Sequence, residues 1–426
     1  MKSWLARRFR QPLFLLLTVP AGIALSIGVL SYVLIWLERR FPVLTELAPD
    51  IPLGVAEALL TVIAGAAMTA LGLTYSLTLL VFTLAASAIG PRLLKRFTSD
   101  PINQVTAGVF GGCFLFALAT MAQLDKDDPP DFTILTSCLL AVLTILQLIF
   151  FVRHVAGAVS VDDEVASISV RLTDALADRR SRYVALSDVP EDARFETEIA
   201  AETAGYVGEL LDEAVLEAAT DADVIVKVKA SSGQFVLAGD TIMDVTGKPD
   251  DDALAAIKAC LSIEPSRSES CRVEFSIHLL VEIGLRALSP GVNDPFTAIA
   301  VVDALSGGIA TACDDVDDSD FGLKDTDGKI RLLAKRLSPK DLIGQAFHPL
   351  RAGGARSILL QQSLARAYGR MYAGANTTMR ATLEEHVALL RAELDRGNHL
   401  SADVDSVLEF LPADLREVET TADERD

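Results

Sequence analysis

The sequence predicts an α-helical integral membrane protein with four transmembrane helices, followed by a mixed α+β cytosolic region that contains a small β module. Three observations predict it. Four apolar runs lie in the first third of the chain, each long enough to cross a ~30 Å hydrocarbon core. The charges that flank them have a consistent sense. The remaining residues are hydrophilic and switch between helical and strand periods.

The runs are Leu13 to Leu37, Val55 to Ile89, Val105 to Ala122 and Phe132 to Val152. Lys2, Arg7, Arg8 and Arg10 precede the first, Arg92, Lys95 and Arg96 follow the second, and Arg153 follows the fourth, which places all three flanks on one side. The loop Gln123 to Asp131 is acidic, and the loop holding Glu38, Arg39, Arg40, Glu46 and Asp50 is mixed. Positive charge stays on the cytoplasmic side, so both termini are expected there. The basic start and apolar run resemble a signal peptide, but the run is too long and no Ala-x-Ala site precedes polar sequence. It reads as a retained anchor.

The mean hydropathy of +0.36 comes from the spans, and the net charge of −20 comes mostly from the rest. That acidity excludes nucleic acid, whose phosphates require clustered Lys and Arg, and serves solubility. The cysteines at 113, 138, 260, 271 and 313 form no Cys-x-x-Cys and have no His at metal spacing. They read as ordinary buried thiols in a reducing compartment.

The second run exceeds what a bilayer requires and ends at Gly90-Pro91. As a continuous helix it is on the order of 50 Å long, so it tilts or projects into the cytosol. Along it Gly65, Thr69, Gly72, Ser76, Thr83, Ser87 and Gly90 recur at spacings of three, four or seven and form one seam. Such a seam suits close packing of helices, with hydroxyls bonding across the contact, and it equally suits the lining of a narrow polar pore. Glu57, the one acidic residue of this run, lies near its outer end and reads as an interfacial carboxylate. Gly108, Gly111 and Gly112 predict tight packing of the third span. Without an inverted repeat or interrupted helices, a channel or a static assembly is favoured over a carrier.

After Arg153-His154, Val155, Val159, Val165, Ile168, Leu172 and Leu176 make an amphipathic helix through Arg182, expected to continue the fourth span or to turn along the membrane surface. Ala185 to Thr197 is a polar break. Val224 to Val228 and Thr241 to Val245 then read as strands around a Ser231-Ser232-Gly233 turn. The spacing Gly233-x-x-Val236-x-x-Gly239-x-x-Ile242 resembles the barrel-sandwich modules of biotinyl and lipoyl carriers, whose glycines serve turns. The carriers' Met-Lys-Met hairpin is missing, so only their shape carries over.

The sharpest motif is Leu288-Ser289-Pro290-Gly291-Val292-Asn293-Asp294-Pro295-Phe296-Thr297-Ala298. Pro290-Gly291 favours a turn, and Asp294-Pro295 caps and starts the next helix. On the preceding helix, around Phe275 to Leu288, His278, Glu282 and Arg286 share a face. Together with Asn293 and Asp294 they are the candidate site for a small anion, nucleotide or partner helix. The competing reading is a salt-bridged helix pair with a capped turn. Asp303 and His348 complete no metal or acid-base set. Leu323 to Leu411 reads as helical, with an amphipathic run from Met379 to Arg396, and Pro412 to Asp426 as a flexible acidic tail.

On Ala88 to Leu94, Val161-Asp162, the Gly233 to Ile242 pattern and, most specifically, Leu288 to Ala298, the whole chain resembles a bacterial family of predicted membrane proteins, the domain of unknown function 2254 family. Where that family has a Ser-Ser-Gln-Phe version before Gly-Pro-Arg, this chain has Ala-Ser-Ala-Ile. The resemblance supplies no substrate or catalytic residue, and it implies a bacterial inner-membrane location.

The domains expected are a four-helix transmembrane domain (1–155), an amphipathic helix and linker (156–200), a barrel-sandwich-like β module (201–250), a helical cytosolic domain (251–411) and the tail (412–426). No Walker loop, nucleophile elbow or His-Glu-x-x-His is present, and five histidines leave little proton chemistry. A non-enzyme without cofactor or metal is therefore expected, with the lipid bilayer and further copies of itself as partners. Two roles fit: a channel-like oligomeric conduit gated by the cytosolic part, or a membrane-anchored sensor or scaffold that binds a small ligand or protein partner.

Overall fold

A computed structural model describes residues 12–41, 43–44, 48–88, 100–125, 129–157, 160–182, 184–185, 194–267, 272–316, 321–334, 337–397 and 399–416. They form two compact units, Met1–Ser160 and Val161–Asp426.

The first unit is built from α1 (Pro12–Arg40), α2 (Leu53–Ala88), α3 (Pro101–Met121) and α4 (Asp131–Gly157). All four are long and apolar enough to cross a membrane. The third helix starts ahead of its apolar run because a polar residue caps it. Asp100 caps α3, accepting from Ile102 N at 2.9 Å, and Pro101 fills the first turn, where a missing N–H costs nothing. α3 is the central helix, with most of its surface covered by α1, α2 and α4. Its glycines make that possible. A Cβ on Gly108 would lie 2.7 Å from Ile23 Cβ, and one on Gly112 2.7 Å from Ile27 Cβ, while Gly28 of α1 meets Leu115 in the same way. The tight packing expected of the third span is thus a contact with α1. On the other side, Ala56, Leu60, Ile63, Ala64 and Ala67 of α2 pack with Cys113, Ala117 and Ile134. Outward faces such as Leu139, Val142, Leu146 and Ile149 of α4 are apolar and exposed, as lipid-facing surfaces are.

Polar contacts fasten both ends of this unit. The buried Glu38 carboxylate at the end of α1 accepts from Phe132 N (2.8 Å), Thr133 N (3.1 Å) and Thr133 Oγ1 (2.8 Å), capping α4 from a neighbouring helix. At the other end Asp100 Oδ2 lies 2.6 Å from His154 Nε2. Between them Gln147 Nε2 donates to Thr106 Oγ1 at 2.7 Å.

The second unit begins with α5 (Val161–Arg182) and then β1 (Val184–Ala185), β2 (Phe195–Ala200), β3 (Gly205–Leu210), α6 (Asp212–Asp221), β4 (Val226–Val228), β5 (Phe235–Val236), β6 (Thr241–Thr246), α7 (Asp251–Ala259) and β7 (Leu261–Glu264). Next come α8 (Arg272–Ala287), α9 (Pro295–Ala310), β8 (Phe321–Lys324), β9 (Ile330–Ala334), α10 (Pro339–Gly353), α11 (Ile358–Gly374), α12 (Thr377–Arg396), α13 (Ser401–Leu408) and α14 (Ala413–Arg416).

The apolar face read on α5 is present and is used inside the second unit. Val165, Ile168, Leu172 and Leu176 are buried, and α5 packs on α8 and α9. Gly308 admits this approach, since a Cβ there would meet Leu172 Cδ2 at 3.0 Å.

The β strands form a six-stranded sheet, β1-β8-β9-β4-β6-β2, and a three-stranded sheet, β5-β3-β7. Among the described residues only β4 and β9 pair in parallel. Val207, Val226, Val228, Ile242, Val245 and Leu332 share one core with Val215 and Ala219 of α6 and Ile257 of α7. The glycines read as turn residues do serve turns, with φ of 79° at Gly233 and 95° at Gly239. Yet among the described residues the sheets close no barrel. β9, from outside the expected module, takes the edge of β4, so 201–250 is not a self-contained barrel sandwich. Residues 323–334, read as the start of a helical stretch, belong instead to the β8–β9 hairpin of 321–334, turned at Gly328 with φ 79°. Arg331 fixes it to the α6–β4 turn, its Nε on Asp325 Oδ2 and its Nη2 on Asp223 Oδ1, both at 2.7 Å. Of the tail, Ala413–Arg416 is helical, with Leu415 buried, and 417–426 lies outside the described residues.

Candidate functional site

The structure gathers five of the seven seam residues on one face of α2. Gly65, Thr69, Gly72, Ser76 and Thr83 are all exposed, on a different face from Ala56, Leu60, Ala64 and Ala67. Nothing lies within 4 Å of where a Cβ on Gly65 or Gly72 would sit. Each hydroxyl bonds its own helix, Thr69 to Gly65 O at 2.8 Å, Ser76 to Gly72 O at 2.9 Å and Thr83 to Leu80 O at 2.7 Å. Their protons are thereby used, while their lone pairs face outward. Ser87 ends on α2 with its side chain outside the described residues, as is Gly90. The seam is therefore not what holds this chain's own helices together. That contact belongs to Gly28, Gly108 and Gly112. Glu57 is exposed in the first turns of α2.

The second candidate set lies on α8 and in the turn before α9. His278, Glu282 and Arg286 lie on α8, half-buried, and His278 Nδ1 is 3.1 Å from Arg267 Nη1. Neither Glu282 nor Arg286 is free of partners. Asp294 is the N-cap of α9. Its Oδ1 accepts from Phe296 N (3.1 Å) and Thr297 N (3.2 Å), and its Oδ2 from Thr297 Oγ1 (2.6 Å). The Thr297 hydroxyl, then the backbone N–H groups, hold its carboxyl below the usual range. Asn293 is exposed at φ 49°, a left-handed turn that Asn tolerates. Asp294→Ala is expected to cost about 1 kcal/mol, read as a lowered thermal midpoint in detergent.

A buried polar cluster between α10, α11 and α12 escaped the sequence. His348 and His386 stack with ring centroids 4.3 Å apart, and Tyr368 meets the His386 ring edge-on. Tyr368 Oη and His386 Nδ1 are both buried and without a hydrogen-bond partner. Burial, reinforced by His348 and Arg351, pushes His386 down to about 3. An unfolded histidine titrates near ~6.5, so the unfolded chain takes up a proton that the folded one refuses as pH falls from ~6.5 toward 3. Between pH 6.5 and 5 this group alone is expected to remove about 2 kcal/mol of stability. A pH series of melts in which His386→Leu flattens that loss checks it. Periodicity shows the face these residues occupy, but not that two histidines 38 positions apart meet.

Among the described residues no group of His, Cys, Asp and Glu is placed to hold a metal. Cys113, Cys260 and Cys313 are buried, and burial raises the Cys313 thiol to about 12, too high for a thiolate nucleophile at neutral pH. Cys271 lies outside the described residues.

The four spanning-length helices, the glycine turns at 233 and 239 and the capped turn before α9 lie within residues 15–370, which match the DUF2254 family, described as predicted membrane protein. The chain belongs to this family. Curated relatives are an uncharacterized protein of Mycobacterium bovis and uncharacterized proteins of Mycobacterium tuberculosis, each 28% identical over 271 residues. That stretch covers 59% of this chain and 51% of each relative, so the chain spans about half the length of the curated relatives it matches. No solved structure matches. This DUF2254 chain is thus a predicted membrane protein with four apolar helices and a mixed α/β C-terminal region.

Proposed function

We propose that this DUF2254 protein associates in a bacterial inner membrane through the open face of α2 and forms, between copies, a conduit for ions or small solutes. The observation that carries this reading is the seam itself, where small residues and hydroxyls stand exposed along α2 while the chain's own packing uses other residues. Helix backbones approach closely only where side chains are small, and in lipid no hydrophobic effect substitutes for that fit. Within one copy, the space between α2, α3 and α4 is filled by Ala, Leu, Ile and Cys. A polar path therefore belongs between copies, where Thr69, Ser76 and Thr83 turn lone pairs toward permeating species. Both termini are cytoplasmic in this reading, and the C-terminal unit acts as the gate without catalysis.

The anchored sensor or scaffold is less favoured, because His278 lies against Arg267, Glu282 and Arg286 have partners, and Asp294 serves as a cap. Reconstitution into planar bilayers is the test. Conductance under voltage or tension is expected, and Ser76→Leu, an exposed position, is expected to lower it at least several-fold. No conductance under voltage or tension would overturn the conduit.

A further inference from the structure

His348 of α10 and His386 of α12 meet inside the helical bundle, where α12 packs on both α10 and α11. Their ring centroids are 4.3 Å apart with the planes 30° from parallel, and Phe347, Tyr368 and His386 continue the contact edge to face. His386 is 2% exposed, and neither its Nδ1 nor the Tyr368 hydroxyl has a hydrogen-bond partner. A neutral imidazole fits such a setting. A proton on His386 places a full charge there with nothing to share it, and burying an unpaired charge costs far more than burying a neutral polar group.

The surrounding groups make that cost one-sided. From α10 come His348 itself and Arg351, one turn further on, and from α11 the uncharged Tyr368 phenol. Lys340, at the start of α10, adds to the positive field at His348. Of the carboxylates on α12, Glu393 is held by Arg351 at 2.5 Å, Glu384 accepts from Tyr372 Oη at 2.8 Å, and Glu385 is exposed and acts on His348. α14 reaches α12 at Arg391, which donates to Arg416 O, and its Asp414 acts on Tyr372. Among the described residues no carboxylate therefore acts on His386, whose affinity for a proton is lowered by burial first and then by His348 and Arg351.

That charge has a local outlet. Asn376 ties down the start of α12, its N–H donating to Cys313 O at 3.0 Å and its Nδ2 to Val316 O at 2.9 Å, while further along the helix the His pair and the Arg351–Glu393 bridge hold α12 to α10. Among the described residues the sheet core draws no member from α10, α11 or α12, so the bundle opens without dismantling the sheets. We infer that the His348–His386 stack is an acid-released clasp: a proton taken up by His386 parts α12 from α10 while the sheets stay folded. The open ring binds that proton near the ordinary histidine value of ~6.5 and the closed ring refuses it. The clasp is therefore complete above pH ~6.5 and weakens as pH falls below that value. This proton-controlled motion lies within the C-terminal unit and is independent of the spans, the oligomer and the conduit.

Hydrogen exchange read by mass spectrometry tests it on the full chain in nanodiscs, at about pH 7.4 and 5.5, with labelling times scaled for the chemical exchange rate. Residues 382–390 of α12 are compared with β6 as the sheet control. From the higher to the lower pH the protection of 382–390 is expected to fall about tenfold, the ratio set by one group that titrates near ~6.5 only when open, while β6 keeps its protection. In His386→Leu the fall is expected to vanish, and equally in His386→Gln, which keeps a polar side chain where leucine unfolds the bundle. Only the ratio between the two pH values is read, so a changed baseline in either variant drops out. Equal protection at both pH values in the wild-type chain overturns the clasp. A fall shared by β6 overturns it too, because the loss is then global, and so does a tenfold fall that persists in a folded His386 variant.

Discussion

Leucine at both Gly108 and Gly112 is expected to abolish the folded membrane unit. A bare Cβ at either position already sits 2.7 Å from the Cβ of Ile23 or Ile27, atoms fixed to the α1 backbone that no rotamer change removes. α1 and α3 must therefore separate along two turns. Overpacking at one such position costs about 1–3 kcal/mol, and two adjacent positions exceed that. In lipid the parted surfaces gain no hydrophobic return, because acyl chains solvate them as well as they solvate each other. The double variant is expected to lose its folded fraction in a detergent thermal or proteolysis assay. Leucine at Gly65 and Gly72, which face open space, is expected to leave the same assay unchanged.

Glu38→Ala is expected to cost about 3 kcal/mol, the next largest effect. The carboxylate is buried and accepts from two α4 N–H groups and the Thr133 hydroxyl. Bonds to a charged group contribute about 1.5–3 kcal/mol each, and removing the acceptor leaves buried donors unmet in a low-dielectric setting. Glu38→Gln keeps one acceptor oxygen and is expected to fall between the two. A lowered detergent melting midpoint, with Glu57→Ala as the exposed control, reads the difference.

The spans were legible because twenty or so consecutive apolar residues have few other uses, and the helices differ from the apolar runs only at their ends, as where Asp100 caps the third. The seam's residues were legible by spacing. Which face of α2 it occupies was not, since α2 is apolar all round and only the packing of Ala56, Leu60 and Ala64 reveals what remains outside. Glu38 read as one charge of a mixed loop because its partners lie more than ninety residues away. The β module failed for the same reason: β4 and β9 pair in parallel across more than a hundred residues, which strand alternation cannot signal. The Asp294-Pro295 cap was legible because capping is local. The His348–His386 stack was not, because it joins two helices of the bundle.

The mass of the complex in lipid nanodiscs, by native mass spectrometry, tests the central claim most directly. The wild-type chain is expected as an oligomer that Gly65→Leu/Gly72→Leu reduces to single chains while the thermal midpoint of each copy holds. A wild-type monomer, or an oligomer indifferent to those two leucines, would contradict association through α2.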